Sequence, residues 1–356
     1  MKPENTRRPS RRSRVPADGG QASWARLADE ELLDLRLCDL ELEIKGTALE
    51  RRIQELYGEL EQRGLRFRPP CWLSSEWFAP DAVPGMAVPF YLAHPRLMKL
   101  EDRQMKEVEG GTKRWCMQLL RHEAAHAYET AYHLSRRHKW RRLFGSSSKP
   151  YPEYYSPEPF SRDYVLHLDW WYAQSHPCED FAETFAVWLR PGSQWRRRYT
   201  GWPALTKLEY VDALMAETAE KPRPPRTRAR VEPVHRIRKT LREHYKEKQE
   251  RYGADYPDFY DLHLRRLFPR GTGDDRGKPA SSFLRRAGPG LRRRIAFWTG
   301  EYAYTINLAL KDMISRCREL DLRVTRQEED LKLDTAVFLT MQTMNYLHSR
   351  DHRVAM

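Results

Sequence analysis

The sequence predicts a helix-rich α+β protein. Roughly the first 135 residues read as strand, helix, strand, edge strand and long helix, the order expected of a small mixed α+β half-domain. Most of the remaining chain has helical periodicity, interrupted by loops rich in glycine, proline and serine. We therefore expect a small mixed sheet with an edge strand beside a long helix, followed by a helical C-terminal region.

The N-terminal elements are predicted from periodicity. Apolar and polar residues alternate from Leu32 to Ile44, and the alternation changes parity near Cys38, which predicts a strand with a bulge. Thr47 and Glu50 form a capping box that begins a helix ending before residue 64. A second extended piece follows this helix.

The later elements follow from prolines, glycines and caps. Pro89 cannot donate to a strand ladder, so the segment 85–97 is predicted to be an edge strand. A helix is expected from Thr112 to about Leu134, and another from Ser175 and Pro177 through "EDFAETFAVWL". Long helices near 290–320 and 328–348 carry the following predicted packing residues: Ile295, Trp298, Ile306, Met313, Val337, Leu339 and Met344.

Four regions are expected along the chain. Residues 1–22 are predicted to be a disordered basic arm, 23–219 a first domain, 220–230 a linker and 231–356 a mostly helical region. The arm has no apolar segment and does not predict a signal peptide, and no stretch is apolar enough to predict a membrane span. Five scattered cysteines without a Cys-x-x-Cys pair favour a reducing cytoplasm.

The net charge of +13 makes nucleic acid a possible partner without favouring it. Arginine clusters occur in the arm, at 196–198, between 223 and 230, and at 292–294. Solvated basic linkers explain these clusters equally simply, and we favour that explanation.

The stretch "RHEAAHAYETAYH" has the pattern of a zinc-binding helix. His122 and His126 are four residues apart, so both imidazoles lie on one helix face and can share a tetrahedral Zn²⁺ ion. Glu123 lies beside that face, where a carboxylate can act as general base towards a zinc-activated water. The alternative is a buried polar helix whose histidines are satisfied by neighbours.

The third ligand is sought among downstream carboxylates. His133 is roughly 10 Å along the helix from His126 and is out of register, so it is expected to be a surface or packing residue. Glu179 and Glu183 share a face of the later helix, so one can bind zinc while the other holds a ligand imidazole. Asp180 remains a further candidate, and acidic residues in a first turn can also simply complement the helix dipole.

Three segments carry a family resemblance. "RHEAAHAY", "KWRRLFG" and "YAQSHPCEDFAETFAVWL" resemble bacterial zinc-binding metallopeptidase families with a gluzincin-type site, and the last one also resembles the third-ligand helix of anthrax lethal factor-like peptidases. The resemblance covers roughly residues 115–190 and implies a zincin-like catalytic domain. It implies Glu179 as the zinc ligand, Glu183 as a residue of the outer shell, and Tyr172 as a donor to the oxyanion. Cys178 and Val187 depart from the expected Trp and His, so the lining of the pocket is expected to differ.

These observations favour a zinc-dependent metallopeptidase acting on a peptide or protein substrate. Two alternatives are a protease for DNA-associated proteins, which the basic segments would serve, and a non-catalytic protein-binding module on the same scaffold. The presence of His122, Glu123 and His126 together argues against the non-catalytic module. We expect the substrate backbone to pair with the edge strand at 87–93, with Tyr172 on the opposite wall of the cleft.

Overall fold

The computed structural model describes residues 22–152, 154–155, 158, 161–225, 227–252, 261–270, 277–349 and 354–355. The predicted basic arm lies outside these residues, apart from Ala22. The α-helices in the described part are α1 (Asp29–Leu33), α2 (Ala48–Gln62), α3 (Pro95–Met105), α4 (Lys113–Tyr132), α5 (His138–Phe144), α6 (Pro177–Leu189), α7 (Trp195–Arg198), α8 (Ala204–Ala219), α9 (Leu241–Tyr252), α10 (Asp261–Leu267), α11 (Ala280–Thr299), α12 (Ala303–Glu319) and α13 (Glu328–Ser349). The strands are β1 (Cys71–Ser74), β2 (Met86–Pro89), β3 (Tyr154–Tyr155) and β4 (Val354–Ala355). The helix-rich α+β class is therefore confirmed.

A first hydrophobic cluster surrounds α4. Helix α4 packs against α6 on one side and against α2 on another, and α6 packs in turn against α8. The buried Arg121 of α4 donates two hydrogen bonds, of 2.7 and 2.6 Å, to the carboxylate of Glu59 on α2. Because both partners are almost fully buried, this ion pair holds α4 in one position relative to α2.

The sheet is smaller than predicted, and β2 is not a free edge. Strands β1 and β2 pair in parallel, with Cys71 opposite Met86 and Ser74 opposite Pro89. On the other side of β2, Ala87 exchanges backbone hydrogen bonds of 2.8 and 3.4 Å with Phe78. Met86, Ala87 and Val88 are completely buried, and the chain then turns into a 3₁₀ helix at Phe90–Ala93. The prediction that residues 87–93 pair with substrate is therefore wrong, because Pro89 ends the strand rather than exposing it.

The predicted strand from Leu32 to Ile44 is also wrong. The chain there forms α1 and a 3₁₀ helix at Leu37–Leu40, and only Arg36 makes an isolated bridge, to Thr240. Asp29, Glu30 and Glu31 lie in the first turn of α1, where carboxylates favour a helix start. Leu32, Leu33, Leu37 and Leu40 are buried on these two short helices, whereas Leu35 and Leu42 lie outside them and are half-buried.

The C-terminal helices form a second hydrophobic cluster. Helices α10 to α13 contribute to it, whereas α9 contributes Leu241 and Tyr245 to the first cluster. Of the predicted packing residues, Ile295, Ile306, Met313 and Leu339 are buried, whereas Trp298 and Val337 are exposed. The predicted helix near 290–320 is two helices, because α11 ends at Gly300 with a left-handed φ of 73°.

Two further features complete the description of the chain. The backbone of β3 pairs antiparallel with that of β4. Among the described helices, none is both long enough and apolar enough to cross a lipid bilayer.

Candidate metal centre

Helix α4 carries the two histidines and the glutamate of the predicted motif. Thr112 caps its N-terminus by accepting a hydrogen bond from the Trp115 amide, and the predicted helix is confirmed. The helix ends before His133, whose φ of 52° is left-handed. The His133 side chain is exposed, so His133 is a surface residue. His122 and Glu123 are buried, so the helix presents the motif to the interior rather than to bulk water.

Helix α6 brings the downstream carboxylates to α4. Pro177 occupies its first turn as predicted, but His176 rather than Ser175 caps it, with Nδ1 accepting from the Cys178 amide. Glu179 and Glu183 face α4, whereas Asp180 accepts a 2.7 Å hydrogen bond from Lys207 of α8. Of the three candidate third ligands, Asp180 therefore points away from the histidines.

Three potential ligand atoms converge between the helices. His122 Nε2 lies 2.9 Å from Glu179 Oε2, His126 Nε2 lies 3.2 Å from the same oxygen, and the two Nε2 atoms are 3.1 Å apart. A tetrahedral zinc ion with bonds of roughly 2.0–2.1 Å holds its ligand atoms about 3.3 Å from one another. Two neutral imidazoles and one carboxylate are also a donor set that zinc accepts. Both the spacing and the chemistry of these side chains fit a zinc ion.

Glu183 orients the first of these histidines. Its Oε1 lies 2.8 Å from His122 Nδ1, and its Oε2 accepts a 2.7 Å hydrogen bond from the Leu168 amide. A proton on Nδ1 satisfies Glu183 and leaves the lone pair of Nε2 facing Glu179 and His126. This is the tautomer that a metal ligand requires.

The charges of the group are balanced by protons when no metal is bound. Burial lowers the pKa of His122, but hydrogen bonds to Glu179 and Glu183 outweigh it and raise the pKa well above its usual range. Burial raises the pKa of Glu179, but the neighbouring His126 and His122 hold it well below the usual value. A divalent cation placed among the three atoms would replace those protons while balancing the same carboxylate.

Glu123 and Tyr172 lie beside the group and share a cavity with it. The cavity has a volume of about 340 Å³, and His122, Glu123 and Tyr172 are among its lining residues. Glu123 is 6% exposed, and its Oε2 has no hydrogen-bond partner among the described residues. The ring of Tyr172 lies 5.6 Å from the ring of His122, and Tyr172 belongs to a 3₁₀ helix at Asp169–Gln174. The structure thus brings together all six site residues named from the sequence: Glu123, Tyr172, His122, His126, Glu179 and Glu183.

One residue that contacts the predicted ligand was missed. The Tyr151 hydroxyl donates a 2.7 Å hydrogen bond to Glu179 Oε1, the oxygen that does not face the histidines. The Tyr151 ring stacks on His176 at 3.9 Å, so the capping residue of α6 also positions it. The loop "YPEYY" contains several tyrosines, and no spacing rule selects this one.

The same stretch of chain matches a known family. Residues 99–193 of the 356 match the family model Peptidase_Mx, described as "Putative zinc-binding metallo-peptidase". Comparisons with curated proteins and with solved structures give no match. The matched region contains α4 and α6, and therefore every atom of the converging group. The similarity to a zinc-binding family and the geometry of the group thus point independently to a metal site.

Proposed function

We propose that the protein is a zinc-dependent metallopeptidase with a zincin-like catalytic core. His122, His126 and Glu179 would hold the Zn²⁺ ion, and Glu183 would fix the His122 ring. The observation that carries this proposal is the convergence of His122 Nε2, His126 Nε2 and Glu179 Oε2 within 2.9–3.2 Å. Beside them, Glu123 Oε2 is buried and has no hydrogen-bond partner in the described part of the chain.

Each side chain has a separate task in peptide hydrolysis. When bound, zinc supplies Lewis acidity, which lowers the pKa of a water molecule and polarises a carbonyl group. Glu123 accepts the proton of the attacking water at its free Oε2 and returns it to the leaving amine. Its burial raises its pKa, whereas His122 and His126 lower it, and a raised pKa suits a group that must accept and then release a proton.

Tyr172 can stabilise the negative charge that develops on the substrate carbonyl oxygen. Burial raises its pKa well above the usual range, with Glu179 and Glu123 adding to the shift, so its hydroxyl keeps its proton near neutral pH. A protonated hydroxyl that borders the cavity can donate to the oxyanion that forms when the carbonyl is attacked. The substrate is a peptide or protein whose scissile bond lies in this cavity.

The test combines metal analysis with hydrolysis of a peptide mixture. Purified full-length protein should contain one zinc ion per chain and cleave peptides. Glu123→Gln should retain the zinc and lose at least about a hundredfold in kcat/KM, because the amide cannot accept a proton. The matched control is Glu129→Gln on the same helix, whose side chain binds Ser135 outside the cavity and whose loss should leave kcat/KM unchanged.

Two outcomes would overturn the proposal. If the protein is purified and assayed with added zinc and still contains no metal, the proposed metal site is wrong. A zinc-loaded protein that cleaves no peptide, or whose Glu123→Gln variant cleaves at the wild-type rate, would instead favour a protein-binding module on this scaffold.

A further inference from the structure

The cavity beside the metal centre is acidic although the protein is basic. The chain has 63 lysines and arginines against 50 acidic residues. Among the described residues that line the cavity, the balance reverses: Glu76, Glu101, Glu107, Glu109, Glu123 and Asp169 face only Lys248 and Arg251. The lining of the cavity is therefore negatively charged within a positively charged protein.

The two basic residues of the lining are already engaged. Lys248 Nζ lies 2.7 Å from Glu101 Oε1, and Arg251 lies 3.0 Å from Glu76 Oε2. These two ion pairs leave the carboxylates of Glu107, Glu109, Asp169 and the proposed base Glu123 in excess.

The environment of the excess carboxylates raises their pKa values. Burial raises the pKa of Glu107, which Lys248, Arg292 and the Ala303 amide oppose, and burial raises the pKa of Asp169, which Arg114 opposes. Glu109 borders the cavity, and its side chain is exposed to solvent. Desolvation by the surrounding walls raises the pKa of Glu109 to about 7; Lys248 opposes this shift, and the carboxylates of Glu107, Glu101 and Glu76 add to it. Since Glu109 borders a cavity that is lined by five further acidic side chains, a positively charged ligand there would favour the ionised form of Glu109.

A second observation shows that the cavity leaves polar groups unsatisfied. Glu101 is 1% exposed and Glu123 is 6% exposed, and in each of them Oε2 lacks a hydrogen-bond partner within 3.5 Å among the described residues. The Tyr245 hydroxyl is close enough to Glu101 to influence its pKa, but does not bond to it. Buried carboxylate oxygens without partners are uncommon. The attacking water would supply the donor to Glu123, and a ligand in the cavity would supply the donor to Glu101.

The remaining walls suit the stem of a long basic side chain. Trp77, Trp115 and Leu119 line the cavity together with Tyr302 and Tyr304, which come from the chain around the start of α12. Aromatic and apolar walls hold methylene groups and attract cations over their rings. The cavity already holds one such pair, since Lys248 Nζ lies 5.3 Å from the centre of the Tyr91 ring.

The cavity extends along α4 from the metal centre. Trp115, Leu119 and Glu123 succeed one another at four-residue intervals on one face of α4, and all three line the cavity. The eight helical steps from Trp115 to Glu123 span roughly 12 Å. An extended peptide advances about 3.3 Å per residue, so a long side chain within two or three residues of the scissile bond spans this length.

We propose that this cavity is a specificity subsite that receives a lysine or arginine side chain of the substrate, with Glu109 as its principal anion. The inference rests on the proposed peptidase function and adds a substrate class to it: peptides with a basic residue close to the cleaved bond. Glu109 is a specificity residue here and takes no part in proton transfer.

The test uses pairs of peptides that differ in one charge. Zinc-loaded full-length protein is assayed with peptides carrying lysine or the neutral isostere norleucine at each of three positions on either side of the scissile bond. At one position, kcat/KM should favour lysine by about tenfold or more, the usual range for a charge-assisted hydrogen bond. Glu109→Gln should reduce this preference to less than about threefold, because kcat/KM on the lysine peptide falls more than kcat/KM on the norleucine peptide. Glu61→Gln, an exposed surface change, should leave the preference intact.

A binding measurement separates this inference from the proposed function. Zinc-loaded Glu123→Gln protein should bind the lysine peptide in a fluorescence anisotropy titration, and the added Glu109→Gln change should weaken binding about tenfold. If the protein hydrolyses peptides without preferring a basic residue, or if the preference persists in Glu109→Gln, the proposed subsite is wrong while the proposed peptidase function stands. Preferential binding of lysine peptides without hydrolysis by the wild-type protein overturns the peptidase and leaves the subsite.

Discussion

The contact between Glu183 and His122 makes the most discriminating prediction for the metal centre. Glu183 accepts from two donors at once: His122 Nδ1 at 2.8 Å and the Leu168 amide at 2.7 Å. In Glu183→Gln, the amide oxygen can accept from only one of them, and its NH₂ group then faces the other donor. Either orientation of the amide loses one hydrogen bond to a charged acceptor in a site that is 1% exposed.

The expected cost follows from the strength of that bond. Losing a hydrogen bond to a charged group costs about 1.5–3 kcal/mol, and changes of residues that orient a metal ligand typically weaken metal binding 10- to 100-fold. If the amide oxygen turns to Leu168, the His122 ring loses the contact that selects its Nδ1–H tautomer. We therefore expect Glu183→Gln to raise the Kd for zinc by 10- to 100-fold, measured by competition with a chromogenic chelator at pH 7.5.

The control is a second buried acid on the same helix. Asp180→Asn removes a carboxylate that binds Lys207 rather than a histidine. It should lower the free energy of unfolding in urea without changing the zinc Kd by more than about twofold. An unchanged zinc affinity in Glu183→Gln, or an equal loss of affinity in both variants, would refute the orienting role of Glu183.

Three further predictions concern stability and pH. Glu59→Ala should lower the free energy of unfolding by about 3–5 kcal/mol in urea titrations, because it leaves the buried Arg121 charge without its partner; a loss below 1 kcal/mol would show that water reaches Arg121. Burial lowers the pKa of His244 to about 3, so the stability of the neutral ring is fully present above pH 6.5 and is lost as the pH falls towards 3. Between pH 6.5 and 4.5, the free energy of unfolding should consequently decline less in His244→Leu than in the wild type. The difference between the two slopes should be at most about 1.4 kcal/mol per pH unit. Parallel curves for the two proteins would contradict this assignment. Because the pKa of Glu109 is about 7, it gains its charge as the pH rises; the preference for lysine over norleucine peptides should grow between pH 6 and 8 and stay flat in Glu109→Gln.

The local elements of the site were predictable because helix geometry is local. The spacing of His122 and His126 places both on one face of any helix, and Thr112 and Pro177 are residue types that are favoured at the start of a helix. These features depend on residues within four or five positions of one another. They therefore depend little on contacts with distant parts of the chain.

Local patterns failed where the outcome depended on distant partners. Alternating leucines from Leu32 to Ile44 suggested a strand, but only an isolated bridge from Arg36 to Thr240 forms there, and packing into the first hydrophobic cluster favoured α1 and a 3₁₀ helix instead. Pro89 correctly excluded a central position in a long ladder, but it could not reveal that Phe78, nine residues before Ala87, closes the other side of β2. Whether a strand is an edge is a property of its neighbours in space.

The sequence by itself determined which helices carry the chemistry and left three carboxylates open as the partner of the histidines. Only the tertiary structure directed Glu179 towards both Nε2 atoms, Glu183 to the far side of His122, and Asp180 to Lys207. It also assembled the acidic cavity from residues as distant as Glu76, Glu109 and Tyr304. Rotation about a helix axis and contact between remote segments are set by how α4, α6 and α8 pack, and packing depends on shape and burial summed over the whole core, which no short stretch of sequence contains.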